Sequence, residues 1–467
     1  VPHIGSILST ARSALTAHQL AVQVTAQNIA NAEVEGYSRQ RLTMEAGIAS
    51  RTQWGALGTG VVVRDVGRVR DALLDDGFRR EAASAAEFGF RRDLLQQVEG
   101  IFGEPTERGL SSAMDAFWSA WSDLASHPAN PTARGVVQQR GAHVAFVLNN
   151  YASQLEDLRE NTADRLRASL GELNDLTAQV AALNKQIQVS EVGGATASDL
   201  RDARDRLVDR ISALAPTRTI ERADGSVAVY VGSVTAVDGD SSKTFALAGP
   251  PYAVHEGGSV VPQSGGALGA MLEALNVEIP QTAARLDELA RGMVEKVNEV
   301  HMRGWSEKGD LAGSADWSNP DPSLQGSRIA FFDPATTGAR DIALSAWVAA
   351  DKDYIAVGRT QGGPGDNSLA LEMAGLRTAS GVVGGLSLGD HYRSTVSGVA
   401  LKAGSAEGSA TVHDTLVQQA DRRRKSVSGV STDEELTLLI RHQQAYAAAA
   451  KLVSAADEMA QAVLNMV

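Results

Sequence analysis

The sequence predicts a mainly α-helical protein with a β-rich insert: paired terminal coiled-coil helices, a discontinuous helical bundle and an outer β domain. Three observations carry this reading. Apolar residues recur at helical spacing at both ends of the chain and through its middle. Aromatic residues make up only 5% of 467 residues, while Ala and Leu are abundant, a balance that favours helical bundles over β-sandwiches. Strand-like alternation among Gly- and Pro-rich turns is confined to two interior stretches.

The two ends belong together. Ile4, Leu8, Ala11, Leu15, Val22, Thr25 and Ile29 advance in steps of three, four or seven, and so do Leu436, Gln443, Tyr446, Ala450, Val453, Ala460 and Val467. That is the seam pattern of helices wrapping each other. The expected packing residues are Ile4, Leu8, Ala11, Leu15, Val22, Ile29, Leu436, Tyr446, Ala450, Val453 and Ala460. The first 32 residues carry one formal charge, Arg12, so the first helix lacks the charged outer face of a solvated amphipathic helix. It is expected to be covered on several sides, by neighbouring copies of the chain. The alternative is an antiparallel hairpin of the two ends inside one chain.

Between the ends, Gly36 supplies the backbone freedom to stop the first helix, and residues 39–70 read as short strands around Val61-Val62-Val63. Helical spacing resumes at Asp71 and runs to Ile101. A helix carrying Met114, Phe117, Trp118, Trp121 and Leu124 is expected to break at Pro128 and Pro131 and resume over 132–150. Leu166, Leu170, Leu173, Val180, Leu183 and Ile187 define a central helix over about 153–190, ended by Gly193-Gly194. A shorter helix follows with Leu200, Leu207, Ile211 and Leu214 inside, and its Asp/Arg alternation over 199–210 reads as ion pairs on a solvated face.

Pro216 marks a change of character. Val227, Val229 and Val231 alternate, with turns at Asp224-Gly225 and Asp238-Gly239. Helical spacing returns at Leu268 and continues past Pro280 to Val300. Residues 304–365 break again, with Arg328–Phe332 and Asp341–Val348 as candidate strands. Asp366-Asn367-Ser368 reads as a helix cap, a heptad run extends from Val396 to Val427, Gly429 interrupts it, and the last helix begins near Thr432. The expected domains are 1–35 with 428–467, the terminal coiled coil; 36–215, 264–310 and 364–427, the bundle; and 216–263 with 311–363, the β-rich outer domain.

Composition excludes several functions. A formal net charge of −13 argues against nucleic-acid or anionic-membrane binding, and the basic run Arg422-Arg423-Arg424-Lys425 is balanced by Asp421, Asp433, Glu434 and Glu435 as a solvated helix end. There is no Cys, hence no disulfide, thiol catalysis or Cys-ligated zinc. The uncharged run 13–32 holds His18, Gln, Asn and Thr, which makes bilayer insertion costly. No basic segment followed by an apolar run opens the chain, so no cleaved secretory signal is expected. No phosphate loop or His-Glu-x-x-His helix is present. The nine His are scattered singly, and Asp238-Gly239-Asp240 lacks the later acidic residue of a calcium loop. Trp118 and Trp121 share one helix face and read as core. Catalytic, cofactor and metal residues are therefore expected to be absent.

The ends also carry a family pattern. Asn28-Ile29-Ala30-Asn31-Ala32, followed by Gly36-Tyr37, resembles the N-terminal signature of bacterial flagellar axial proteins. Ser38-Arg39-Gln40 is similar to the hook-associated protein 1 family of the hook–filament junction, where hook and rod proteins place Lys-Arg. Ser428-Gly429-Val430-Ser431-Thr432-Asp433-Glu434-Glu435 and Gln443-Gln444-Ala445-Tyr446 resemble that family's C-terminus. Asn130-Pro131 with Arg134, and Gly365-Asp366-Asn367 before a helix, fit its middle. The resemblance implies a structural adaptor, not an enzyme, exported through the flagellar type III channel to the extracellular flagellum without a cleaved signal. Its implied partners are further copies of itself in a ring or helical array, the hook protein, the second junction protein, an export chaperone and the filament cap, with no nucleic acid, membrane or cofactor. The alternatives are a hook or distal-rod protein and, in a different class, a secreted hydrolase with flagellar targeting ends.

Overall fold

The computed structural model describes residues 2–52, 55–308, 328–363 and 365–465. Helix α1 (Pro2–Ala30) leads into a long arm built from β1 (Gln40–Ala46), β2 (Ser50–Thr52), β3 (Gly55–Leu57) and β4 (Val61–Arg68). β1 and β4 pair antiparallel from Gln40↔Arg68 to Ala46↔Val61, and β2 pairs with β3 beyond them. The arm lies back along α1. Gly60, at φ +103°, permits this: a Cβ there would stand 3.2 Å from the Thr10 backbone.

Helix α2 (Ala72–Phe102) begins at Asp71, whose carboxylate accepts from the Leu73 and Leu74 amides. Then come α3 (Leu110–Ser126), α4 (Pro131–Glu191) and α5 (Ser198–Leu214). The break expected between 150 and 153 does not occur, and α4 is one helix of 61 residues. Pro131 opens α4 rather than interrupting it, because its missing N–H falls in the first turn, and Asn130 caps that turn through the Thr132 amide. Asn149-Asn150-Tyr151-Ala152-Ser153 contains no Gly or Pro to stop the ladder, and Tyr151 and Leu155 are buried in step with their neighbours.

Seven short strands follow. β5 (Thr217–Glu221), β6 (Val227–Val231), β7 (Val234–Asp238) and β8 (Ser241–Ser242) form one antiparallel sheet in chain order. β9 (Phe245–Ala248), β10 (Ala253–Glu256) and β11 (Ser259–Val260) form another. Val229, Val231, Val237 and Phe245 bury against Leu166, Leu173, Val180, Val208 and Leu268, so this lobe shares a core with the second half of α4.

Helix α6 (Gly266–Glu273) runs through a π-turn at Ala274–Glu278 into α7 (Ile279–His301). After α8 (Ala346–Ala350) come α9 (Ser368–Gly375), α10 (Leu388–Ser428) and α11 (Thr432–Leu464). α10 lies along α2, where His413 stacks on Phe88 at 4.8 Å.

The second expected β stretch is not a sheet. Arg328–Phe332 and Asp341–Val348 are loop and short helix, joined by a single bridge between Phe332 and Leu344. Side chains of the bundle replace the missing strands. Asn298 accepts from the Phe331 and Phe332 amides and donates to the Phe332 carbonyl, while Asn149 donates to the carbonyls of Ala339 and Ile342. Ile329, Phe331, Phe332, Ile342, Val348 and Ile355 are fully buried with Phe117, Trp121, Leu148 and Met293. Residues 328–363 therefore plug the bundle core and do not join 216–263 in an outer domain; residues 311–327 lie outside the described residues. Trp118 and Trp121 are core, as the sequence indicates.

Candidate assembly interface and its anchor

α1 and α11 pack antiparallel, with Asn28 beside Glu435 and His18 beside His442. Ala11, Ala17, Ala21, Val24, Thr25 and Asn28 are buried on one side, and Glu435, Ala449 and Ala456 on the other. The small side chains let the two backbones approach closely.

The seam lies about one residue from the expected one over much of its length. Ala11 is fully buried as expected, but Leu8, Leu436 and Tyr446 are exposed, at 37%, 47% and 41%. Ile4, Leu15, Val22, Ile29, Ala450, Val453 and Ala460 are half-buried at its margins, and Val467 lies outside the described residues. Apolar spacing favours Val22 over Ala21, Ile29 over Asn28 and Leu436 over Glu435, and does not separate Ala450 from Ala449, whereas the contact is made by Ala21, Asn28, Glu435 and Ala449. The arm supplies a further cover: the Val61 amide donates to Ser13 Oγ at 3.2 Å, so α1 is flanked within its own chain by both α11 and β4. Among the side chains that the pair leaves open are the apolar Leu8, Leu436, Ile440, Tyr446, Leu452, Met459, Val463 and Leu464.

The motif residues build the anchor at the inner end of this pair. Asn28 donates to the Gln40 carbonyl at 2.9 Å and to Glu435 at 3.0 Å. Its Oδ1 accepts from the Tyr37 hydroxyl at 2.9 Å and the Gln40 amide at 3.0 Å. Arg39 Nε bonds Glu435 at 2.8 Å, and the Arg39 amide donates to the Ser428 carbonyl at 2.8 Å. Burial, with the charges of Asp199, Asp202 and Glu435, pushes the Tyr37 hydroxyl up to about 12, so it remains a donor. Ser38 donates from its amide and hydroxyl to Asp202, at 2.9 and 2.7 Å. Gly36, at φ +75°, turns the chain where Arg206 would collide with any Cβ. Ile29, Ala30 and Asn31 sit on the outer side of the helix end; Asn31 bonds back to the Gln27 carbonyl.

The residues that receive this anchor were not apparent from the sequence. The α5 face read as solvated is largely buried: Asp202 is 3% exposed and Arg204 1%. Arg68 bridges Asp202 and Asp205, both at 2.7 Å, and Arg70 bonds Asp205 at 2.6 Å and Asp75 through two nitrogens. Arg79 and Arg424 meet on Asp209 at 2.7 and 2.6 Å. Burial opposes ionisation of Asp205, but Arg70, Arg68 and Arg204 outweigh it and hold its carboxyl below the ordinary value. Arg424 lies over the Phe78 ring at 3.9 Å, so it is not part of a solvated basic run. An Asp/Arg alternation at i, i+3 spacing suits a surface helix equally well; only the arrival of Arg68, Arg70 and Ser38 from a distant segment marks it as interior.

Among the described residues no three His, Cys, Asp or Glu side chains converge to hold a metal ion, and no helix is long and apolar enough to cross a membrane. The arrangement is a packing surface and a polar anchor.

Comparison with known proteins agrees with this geometry. Residues 95–315 match the family described as flagellar hook-associated protein FlgK helical domain. Residues 8–37 match the flagella basal body rod protein family, and 426–466 the flagellar basal body rod FlgEFG protein C-terminal family. Flagellar hook-associated protein 1 of Bacillus subtilis is 29% identical, over 98% of this chain and 97% of the relative. The protein of that name in Escherichia coli is 23% identical, over 99% and 100%. The flagellar hook junction protein FlgK from Burkholderia pseudomallei shares the fold, with a TM-score of 0.63 at 16% identity, over 76% of this chain and all of the other. With matches to both terminal segments, to the helical domain and along the whole length of these relatives, the chain is similar throughout to flagellar hook-associated protein 1.

Proposed function

We propose that this chain is a structural subunit that joins the flagellar hook to the flagellin filament, assembling through its paired terminal helices. The observation that carries the reading is the number of exposed apolar side chains on that pair, Leu436, Ile440, Tyr446, Leu452, Met459 and Val463 among them. A monomer gains nothing by exposing them; a tube of adjacent copies buries them. On this reading the partners are further copies of the chain, the hook protein below and a second junction protein above. Delivery is through the flagellar export channel, with an export chaperone before assembly and the filament cap after it.

The test is complementation of cells that lack the chain. Such cells should carry complete hooks without filaments and release flagellin into the medium; loss of the hooks themselves would favour a hook or rod subunit instead. Ile440→Asp alters a residue 54% exposed in the single chain, so the purified variant should unfold within about 0.5 kcal/mol of the parent. In cells it should be exported yet fail to retain filaments. Normal filaments with both Ile440→Asp and Leu452→Asp would rule out this surface as the packing face.

A further inference from the structure

Two histidines that the sequence scatters to opposite ends of the chain meet in the middle of the terminal pair. His18 Nδ1 on α1 faces His442 Nδ1 on α11 at 3.3 Å, with ring centroids 5.5 Å apart and planes inclined at 38°. Neither ring is exposed, and the flanking positions are small: Ala17 and Ala21 on α1, Ala445 and Ala449 on α11. The separation of 3.3 Å is long for a hydrogen bond between ring nitrogens. It matches what a tetrahedral ion requires, since bonds of about 2.0–2.1 Å at the tetrahedral angle hold two ligand nitrogens about 3.3–3.4 Å apart.

We propose that His18 and His442 form a two-imidazole site for a divalent transition-metal ion of the Zn2+, Cu2+ or Ni2+ class, which clamps the first helix to the last. Imidazole is the ligand these ions share. Among the described residues no third His, Cys, Asp or Glu converges on the site, so water completes the coordination. Glu435, the acidic residue buried in the same seam, is already engaged by Arg39 and Asn28. With two protein ligands the ion is exchangeable, unlike one in a closed four-ligand site. Its effect is linkage. An ion that binds only the closed pair raises the ratio of closed to open pairs about 100-fold when its concentration is about 100 times its Kd. Occupancy would thus hold the two ends together in the free subunit, before neighbouring copies do so.

The test uses the purified, untagged full chain, titrated with Zn2+ in a calorimeter and followed by amide hydrogen exchange. One ion should bind per chain, and exchange should slow in both 2–30 and 432–464. His18→Ala and His442→Ala should each abolish that binding and that protection, while His143→Ala, on the outer face of α4, should leave both unchanged. Because either seam variant could loosen the helix pair, Cu2+ bound to the unmutated chain should independently show two imidazole nitrogens by electron paramagnetic resonance. The proposal fails if Zn2+ does not bind, if binding survives both seam variants, or if the copper signal reports fewer than two nitrogens.

Discussion

Asp202 joins the anchor to the body through a single carboxylate, accepting from the Ser38 amide and hydroxyl and from Arg68 while only 3% exposed. Asp202→Ala leaves the buried Ser38 amide and hydroxyl without their acceptor while Arg68 keeps Asp205, and should destabilise the chain by about 1–3 kcal/mol. Chemical denaturation checks this; a loss below about 1 kcal/mol would mean that the network relaxes around the gap. His301 offers a test in pH. It is fully buried, donating from Nδ1 to the Ile329 carbonyl and accepting from the Ala356 amide at Nε2, and burial pushes it down to about 4 from an ordinary 6.5. Between those values the unfolded chain takes up a proton that the folded chain refuses. Stability should therefore fall as pH drops from about 6.5 toward 4, by roughly 3 kcal/mol in all. His301→Gln, which does not titrate, should flatten that part of the stability–pH curve; an unchanged slope would assign the effect to other groups. Neither residue was legible in the sequence, because a lone His or one Asp in an Asp/Arg run looks the same whether solvent or a distant segment faces it.

Elements were more legible than their contacts. The resumption of helix at Asp71, the long helix carrying Val399, Ala403, Ala406 and Ala410, the interruption at Gly429 and the start of α11 near Thr432 follow from local chemistry, and the structure has them where the residues indicate. Three kinds of feature did not follow. Continuity through 150–153 in α4 depends on the absence of a breaker, which periodicity does not register. The loop around Phe331 depends on Asn298, which stands far from it in sequence and takes the place of a partner strand. The terminal seam is a third case, since Ala449 makes the contact that spacing would give equally to Ala450. Ala449→Glu places a charge in that seam and should open the pair, accelerating amide exchange in both α1 and α11 while the bundle stays protected. Retained protection of α1 in this variant would show that the seam does not run through Ala449.

At the scale of the whole molecule there are two main cores strung on one helix. The first half of α4 belongs with α3, α7, α9 and the 328–363 plug, and the second half with α5, α6 and the strands. Phe331→Ala should cost about 3–5 kcal/mol and weaken the first core, and Leu173→Ala about 2–5 kcal/mol and weaken the second. Hydrogen exchange should resolve the two losses into different segments; identical exchange patterns would mean that α4 couples the cores into one cooperative unit. The hydrogen bond from the Arg39 amide to the Ser428 carbonyl has a consequence for chain length. The polypeptide leaves the base and re-enters it within one bond, so everything between those residues is a closed polymer loop. The entropy lost in closing such a loop grows only with the logarithm of its length, about 0.6 kcal/mol for each doubling. A longer or shorter body between the same two residues would therefore close at almost the same entropic cost. Evolution is free to lengthen or trim the body while the base goes on closing in the same way.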